Sequence, residues 1–358
     1  MSRVVRPQTP DKASIAPMFP PSWLDRLQAW IEDLPVPPWA SYLLAALGVS
    51  LLLHFQLWLD GSLPPGSIEV AQLVAALFLV YFVALIHYLN TTARGALANY
   101  RPLLDVGDRE YATLEYTLTR IPRRIGLVAT FLGALFAAAN FISSPESWGV
   151  TPNSSVLATA SALIQAMVVY VGVTYWGVQV IRQARTVDRI HRMTTRLNIF
   201  RRDPVYAFSA LTLRSAIGLL LFAYSYPILA FYLGLPPLSA IEAAAIGAAI
   251  AISLAIFILP LSSMHRLLAS EKRRLLLDAD GRYSLLVDRF NRQLDKGKYT
   301  ELESTGRAIA TLATQRDSLA KTSTWPWRPE TLRSLLSTIA VPIILYLASR
   351  FLGRLVGV

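Results

Sequence analysis

Histidines and carboxylates are the side chains here that could bind a metal ion or transfer a proton, because the chain has four histidines and no cysteine. His87, His191 and His265 lie in similar contexts, IHYL, IHRM and MHRL, each at or beyond the end of a long apolar stretch. A cluster of the three would bind a metal or sense pH near 6.5. Alternatively, a histidine beside a basic residue suits a helix C-terminus near anionic head groups.

His54 differs because it lies inside an apolar stretch, in SLLLHFQLWLDG, with Gln56 nearby. An ionisable side chain within such a stretch is a functional candidate by default. We therefore take His54 and Gln56 as a candidate intramembrane polar site. The alternative is a hydrogen bond from His54 to a neighbouring helix.

Four carboxylates border apolar stretches on the side where the connecting loops lack Lys and Arg: Asp60, Glu69, Glu146 and Glu242. In an oligomer, symmetry would repeat these acids around an entrance. Rings of acids favour cations. The four residues are therefore candidate acids of an outer mouth.

The sequence lacks the common catalytic motifs. It contains no GxxxxGK[ST] phosphate loop, no HExxH and no GxSxG. The absence of cysteine excludes disulfides, thiolate metal sites and cysteine nucleophiles. A lipid-modifying enzyme could recruit His87, Asp105 and Asp108, but nothing in the sequence fixes their geometry. We expect no enzyme activity, no catalytic residue and no resident cofactor or metal.

The composition indicates a membrane protein. The 358 residues are 54% hydrophobic and only 16% charged, against roughly 25% charged residues in soluble domains. A bilayer core needs about 20 apolar residues per helix, and six stretches satisfy this: 40–59, 70–90, 125–142, 157–181, 215–235 and 241–263. The fold class is therefore all-α, a polytopic membrane protein with six to seven transmembrane helices.

The seventh crossing is ambiguous. The apolar run from Leu335 to Ala348 is bracketed by Arg333 and Arg350 and contains Pro342. It either crosses the membrane or lies in its plane as a helix. We favour a crossing.

Basic residues define the orientation. The loops 60–69, 143–156 and 236–240 contain no Lys or Arg, whereas 91–124 and 182–214 are rich in Arg. Because Lys and Arg in short loops resist translocation, we expect a multi-pass protein of the plasma membrane with a cytoplasmic N-terminus. The net charge of +11 follows the membrane side, so we expect membrane lipid as a partner and no nucleic acid.

The pattern predicts four segments. Residues 1–38 form a cytoplasmic arm, 39–263 the transmembrane domain, 264–323 a cytoplasmic helical hairpin, and 324–358 the seventh crossing or in-plane helix. An amphipathic helix in the arm would lie on the membrane or pack on the protein; its apolar residues are Trp23, Leu24, Leu27, Trp30 and Ile31.

The hairpin 264–323 has the spacing of a short coiled coil. In its first helix, Leu268 and Leu275 are seven residues apart, and Leu286, Phe290 and Leu294 share one face. Gly297 is a candidate cap at the C-terminus of this helix. The seam of its second helix is Leu302, Ile309, Leu312 and Leu319. Such a thin hairpin should lean on other loops or on copies of itself in a homo-oligomer.

Two stripes of small residues allow close helix approach. They are Ala243, Gly247 and Ala251, and Gly126, Gly133 and Ala137. They are packing faces, either internal or between subunits.

Two functions fit these features. The first is an oligomeric channel or transport protein that conducts cations. The second is a non-transporting sensor, scaffold or accessory subunit that docks a protein partner through the hairpin.

Overall fold

A computed structural model describes residues 18–195, 197, 199, 203–233, 240–296 and 299–356, with side chains except at 71, 226, 229–233, 240–242, 299–300, 349–350 and 352–356. The described residues are 84% helix and form no strand. The α-helices in these ranges are α1 Trp23–Glu32, α2 Pro38–Leu59, α3 Val70–Tyr100, α4 Asp108–Thr119, α5 Arg123–Ser143, α6 Val156–Arg192, α7 Ala207–Leu233, α8 Ala240–Ile258, α9 Ser262–Asp295, α10 Tyr299–Lys321 and α11 Pro329–Val356.

Seven helical stretches in the described ranges are long and apolar enough to cross a membrane. They are Pro38–Leu59, Gln72–Leu103, Arg123–Ser143, Val156–Arg192, Pro204–Ser225, Ala243–Asp295 and Pro329–Ala348. Each of the six apolar stretches of the sequence therefore overlaps one of these helical stretches, with residues 234–235 of the fifth outside the described residues. The seventh is also helical, and Pro342 lies inside α11 without ending it.

The residues divide into two compact units. Unit 1 comprises the described residues up to Ala98, together with Val106–Thr186 and Leu221–Gly247. Unit 2 comprises Asn99–Asp105, Val187–Leu220 and the described residues from Ala248 onward.

In unit 1, α1 packs on the protein itself. Leu24 and Ile31 are buried, and the backbone of Ser22 donates to the carbonyl of Ile121 at 3.0 Å. Trp30 stays 60% exposed on the other face of α1. One face of α1 therefore packs on the protein, and contact of the other face with the membrane stays a prediction.

Helices α5 and α6 cross closely in unit 1 because glycine leaves no side chain at the crossing. A Cβ on Gly133 would lie 2.6 Å from the Cα of Val171. Gly126 and Ala137 of the same stripe are buried as well. This stripe is an internal packing face.

The stripe on α8 behaves differently. Ala243, Gly247 and Ala251 are exposed, and a Cβ on Gly247 would meet no described atom within 4 Å. The two stripes look alike in sequence, but in the described structure only the one on α5 is covered.

In unit 2, α9 and α10 form the antiparallel hairpin that the sequence predicts. Lys272 Nζ donates to the carbonyl of Ala320 at 2.6 Å, and near the other end Thr305 Oγ1 donates to Oε1 of Gln293 at 2.8 Å. Leu268 and Leu319 are buried. One detail was wrong: Leu294 is 51% exposed, since Gln293 turns inward in its place to meet Thr305. Gly297 lies outside the described residues.

Candidate functional site

His54 is buried in α2, and its two ring nitrogens have different partners. Nδ1–H donates to the carbonyl of Ser50 at 2.8 Å, and Nε2 accepts the backbone N–H of Glu69 at 3.0 Å. This pattern corresponds to a neutral imidazole with its proton on Nδ1. His54 therefore ties the loop 60–69 to α2.

Trp58 makes a second tie in the same place. Its Nε1–H donates to the carbonyl of Ser67 at 3.1 Å, and its ring lies 6.1 Å from that of His54. Gln56 is half-buried, and its backbone carbonyl accepts the backbone N–H of Asp60 at 2.9 Å. The local geometry of His54 is thus that of a loop anchor, whereas Gln56 contributes its backbone carbonyl to the last turn of α2.

The four acids lie in loops or at helix ends. Oδ2 of Asp60 accepts a hydrogen bond from Ser155 Oγ at 3.1 Å, which joins the loops 60–69 and 143–156. Glu69 and Glu146 are exposed. Glu242 belongs to α8, but its side chain lies outside the described residues. Their arrangement around an entrance stays a prediction.

His87 joins a hydrogen-bonded series that connects α1, α2 and α3. Nε2 of His87 lies 3.2 Å from Oε1 of Glu32, and Nδ1 lies 2.9 Å from Tyr42 Oη. With Nε2–H donating to the carboxylate, Nδ1 accepts from the tyrosine hydroxyl. Arg94 NH1 lies 3.4 Å from the same oxygen of Glu32. The series runs from the half-buried Tyr42 through His87 to Glu32. The side chains of Tyr, His and Glu are types that transfer protons.

A network of buried amides lies between α1, α3 and α6. We call Gln28, Asn90, Gln179 and Gln183 the amide network; each is 4% exposed or less. Nδ2–H of Asn90 donates to Gln28 Oε1 at 3.2 Å. Oδ1 of Asn90 accepts from Nε2 of Gln179 at 2.6 Å and from Nε2 of Gln183 at 3.2 Å. Asn90 is therefore the hub of the network.

The amide network has two open acceptors. Oε1 of Gln179 and Oε1 of Gln183 are buried and find no donor among the described residues. Nε2 of Gln179 also donates to the carbonyl of Leu118 at 3.3 Å, which fixes the orientation of that amide. A buried acceptor without a donor costs about 1–3 kcal/mol, so these oxygens are suited to a water molecule or a cation.

Asp25 is the buried carboxylate of the α1 N-terminus. Its Oδ2 accepts hydrogen bonds from the backbone of Ser22 at 3.1 Å and from the backbone of Ile121 at 3.0 Å. With the side chain of Ser22 it forms a capping box. Burial raises the pKa of Asp25, while the hydrogen bonds from Ser22 and Ile121 and the charge of Arg120 oppose the rise.

His191 and His265 lie in unit 2 in unlike surroundings. His191 is fully buried, with the rings of Tyr100 and Phe208 each 5.6 Å away. His265 stacks on Trp325 at 3.9 Å between ring centroids, and its Nδ1 lies 3.2 Å from the carbonyl of Thr324.

The structure does not bring the three histidines together as a metal site. Over the described ranges, no group of three or more His, Cys, Asp or Glu side chains is placed to hold a metal ion. His87 pairs with Glu32, whereas His191 and His265 contact aromatic rings. The alternative for these histidines, a helix C-terminus near anionic head groups, stays a prediction.

Sequence reasoning missed the amide network. The signal was present in part, because Gln179 and Gln183 are four residues apart and so share one face of α6. What the sequence did not provide was the partner, since Asn90 lies 89 residues before Gln179.

The fold and these contacts define a class, that of all-helical proteins with seven helices long and apolar enough to span a membrane among the described residues. Comparison of the chain with protein-family models, with curated proteins and with solved structures finds no match.

Proposed function

We propose that this is a polytopic protein of the plasma membrane, with a cytoplasmic N-terminus, that acts as a sensor, scaffold or accessory subunit and docks a protein partner through the α9–α10 hairpin. The seven long apolar helices support the membrane class. The asymmetry of Lys and Arg between the loops supports the orientation.

The exposed leucines of α9 carry the docking proposal. Leu277 is 66% exposed, Leu285 is 68% exposed and Leu294 is 51% exposed. Leu277 lies opposite the face that α9 packs on α10, and Leu285 and Leu294 lie on the two flanks of that face. Burying one leucine contributes about 1.5–3 kcal/mol. A helix that served only as a stalk in water would gain nothing from these side chains, whereas a partner surface would cover them.

The α9–α10 hairpin is connected at both ends to candidate membrane spans. Ile258 ends α8, the short turn Leu259–Leu261 follows, and α9 begins at Ser262. After α10, the segment with Trp325 and Trp327 leads into α11. Both ends of the hairpin are thus joined to candidate spans, as a sensor or scaffold needs.

Site-specific crosslinking tests the proposal, because the chain has no cysteine and a single introduced cysteine is unique. Leu285→Cys in the full-length protein, treated with a thiol crosslinker in intact cells, should give one discrete adduct with a different protein. Thr314→Cys, an equally exposed position on α10, is the matched control and should give none. Equal adducts from both positions, or only an adduct of two copies of this chain, would overturn partner docking.

A homo-oligomeric channel or transport protein, conducting cations, is the second candidate. The specific observation in its favour is the pair of buried oxygens without donors, Gln179 Oε1 and Gln183 Oε1, inside the candidate span Val156–Arg192. The exposed stripe on α8 would serve contact between subunits. Purified protein in liposomes should then move cations faster than empty vesicles, and Gln179→Leu with Gln183→Leu should abolish the difference. Flux equal to that of empty vesicles would end this candidate.

A further inference from the structure

A groove runs along the first turns of α9 in unit 2. It is lined by His265, Arg266, Ala269, Ser270, Arg273 and Leu277, with Arg274 beside it. Positions 266, 270, 273 and 277 follow the helical repeat and share one face. That face is opposite Leu268 and Ala279, which are buried. The groove is therefore on the outer side of the helix.

The groove is strongly basic. Arg266 and Arg273 are exposed, and Arg273 forms no ion pair with any residue in the described ranges. Arg274 is bound by both guanidinium contacts to Glu271, at 3.0 and 2.6 Å. This pairing neutralises the nearest acid on α9. Arg266 NH2 lies 3.4 Å from Ser263 Oγ, which in turn donates to the carboxylate of Asp188, but Arg266 forms no ion pair with a described residue.

The two arginines can act on one ligand. In a helix, long side chains extend back over the turn that precedes their own Cα, so Arg273 has the reach to extend over Ala269 and Ser270 toward the turn of Arg266. Arg266 itself extends back to Ser263, and both arginines line the same groove, with the small side chains of 269 and 270 between them. Arginine binds the oxygens of a phosphate in pairs.

Three stacked aromatic rings lie at the near end of this groove. His265 at its near end stacks on Trp325 at 3.9 Å, and Trp325 stacks on Trp327 at 4.4 Å. Tryptophan is enriched where membrane and water meet. Helix α8 also ends only a few residues before the groove, at Ile258. The groove thus places two arginines next to tryptophan, a residue type that is enriched at the membrane interface.

We propose that this groove binds the phosphate of an anionic phospholipid, held between Arg266 and Arg273. The proposal rests on the proposed membrane placement of the protein, and it is independent of whether the hairpin docks a partner. Phosphatidylglycerol is the probe, because it carries a single phosphodiester and one negative charge.

The test is native mass spectrometry of the full-length protein in a neutral detergent, titrated with phosphatidylglycerol or phosphatidylcholine. The wild-type protein should bind phosphatidylglycerol in preference. Arg266→Gln with Arg273→Gln should weaken this binding about 30-fold, because each basic side chain near an anionic head group contributes roughly a factor of five.

Arg289→Gln with Arg292→Gln is the matched control. It removes the same charge from exposed positions of the same helix. Arg289 is about 24 Å along the axis from Arg273, so this variant should leave phosphatidylglycerol binding unchanged. Equal binding by the two double variants would overturn the site. Displacement of the lipid by inorganic phosphate at equal concentration would overturn the lipid as its ligand.

Carbonate extraction of cell membranes separates this proposal from the membrane class. If the wild-type protein is released from membranes, the placement in the bilayer is wrong and the lipid site falls with it. If the wild-type protein stays and the groove variant binds lipid normally, only the lipid site is wrong.

Discussion

Nε2 of His54 accepts the backbone N–H of Glu69 at 3.0 Å. The histidine thereby satisfies an amide at the residue just before α3, and it holds the loop 60–69 against α2. Two residues that the sequence assigned to different candidate sites, a polar site and a ring of acids, are in direct contact.

Replacing His54 by Ala should free this loop. The variant loses the acceptor for Glu69, and the expected cost is about 1 kcal/mol. Hydrogen exchange at the Glu69 amide should become about five-fold faster in the purified protein. Gln56→Ala is the control, because Gln56 contributes only its backbone carbonyl to Asp60; the same acceleration in that variant would contradict the anchor.

Asn90→Leu should destabilise unit 1. The substitution removes the hydrogen bonds of Asn90 to Gln28, Gln179 and Gln183. Interhelical hydrogen bonds between membrane helices average about 0.6 kcal/mol, so the loss of three should be about 2 kcal/mol. The measurement is unfolding by denaturing detergent. Thr91→Leu, at an exposed neighbouring position, should change stability little, and an equal loss there would argue against Asn90 as a hub.

Replacing Gly133 or Gly247 by alanine should change the stability of the protein in opposite directions. Gly133→Ala places a Cβ 2.6 Å from the backbone of Val171, and overpacking costs about 1–3 kcal/mol. Gly247→Ala meets no described atom within 4 Å and should gain up to about 1 kcal/mol of helix propensity. Thermal unfolding in detergent measures both. A loss of stability in Gly247→Ala would show that this face is covered in the purified protein.

The docking of α1 should depend on pH through Asp25. Because burial raises its pKa in the folded protein, the stabilising contribution of Asp25 is complete below the unfolded pKa of about 3.9. It is lost as the pH rises through the folded pKa. Intrinsic-rate-corrected hydrogen exchange over 23–32 should therefore report weaker protection as the pH rises from about 4.

Asp25→Asn separates this titration from the capping role. Its side-chain oxygen can still accept from Ile121, but it does not titrate, so the pH dependence should disappear. Asp25→Ala should instead lose the hydrogen bonds from Ser22 and Ile121 at every pH, at a cost of about 1 kcal/mol or more. An unchanged pH dependence in Asp25→Asn would assign it to another group.

The last candidate span is open to a labelling test. A cysteine added after residue 358 should react with a membrane-impermeant reagent from the same side as Ser62→Cys if 329–348 crosses the bilayer. Ser304→Cys on the hairpin should then react only after permeabilisation. Labelling of the added cysteine together with Ser304→Cys would show that α11 does not cross.

Most of the helices could be predicted from the sequence because their signal is local. Long apolar stretches such as 157–181 have few solutions other than a helix, and α6 indeed covers this stretch. The apolar stretches are shorter than the helices that contain them, since α6 continues to Arg192 and α3 to Tyr100. Those extensions are polar on one face, so hydropathy alone does not include them.

The candidate sites were less predictable because their partners are remote in sequence. His87 resembled His191 and His265 in its tetrapeptide, but its surroundings depend on Glu32 and Tyr42, which belong to other helices. The amide network likewise joins residues 62 and 89 positions apart. A repeated tetrapeptide carries no information about such pairings.

The sequence by itself determined the class of the fold, the approximate helices and the antiparallel hairpin, since hydrophobic periodicity and length act over neighbouring residues. Only the tertiary structure decided which glycine stripe is covered, where α1 packs and which groups each histidine contacts. The physical reason is that burial and hydrogen bonding depend on the faces that distant helices present to one another, and those faces exist only once the chain has folded.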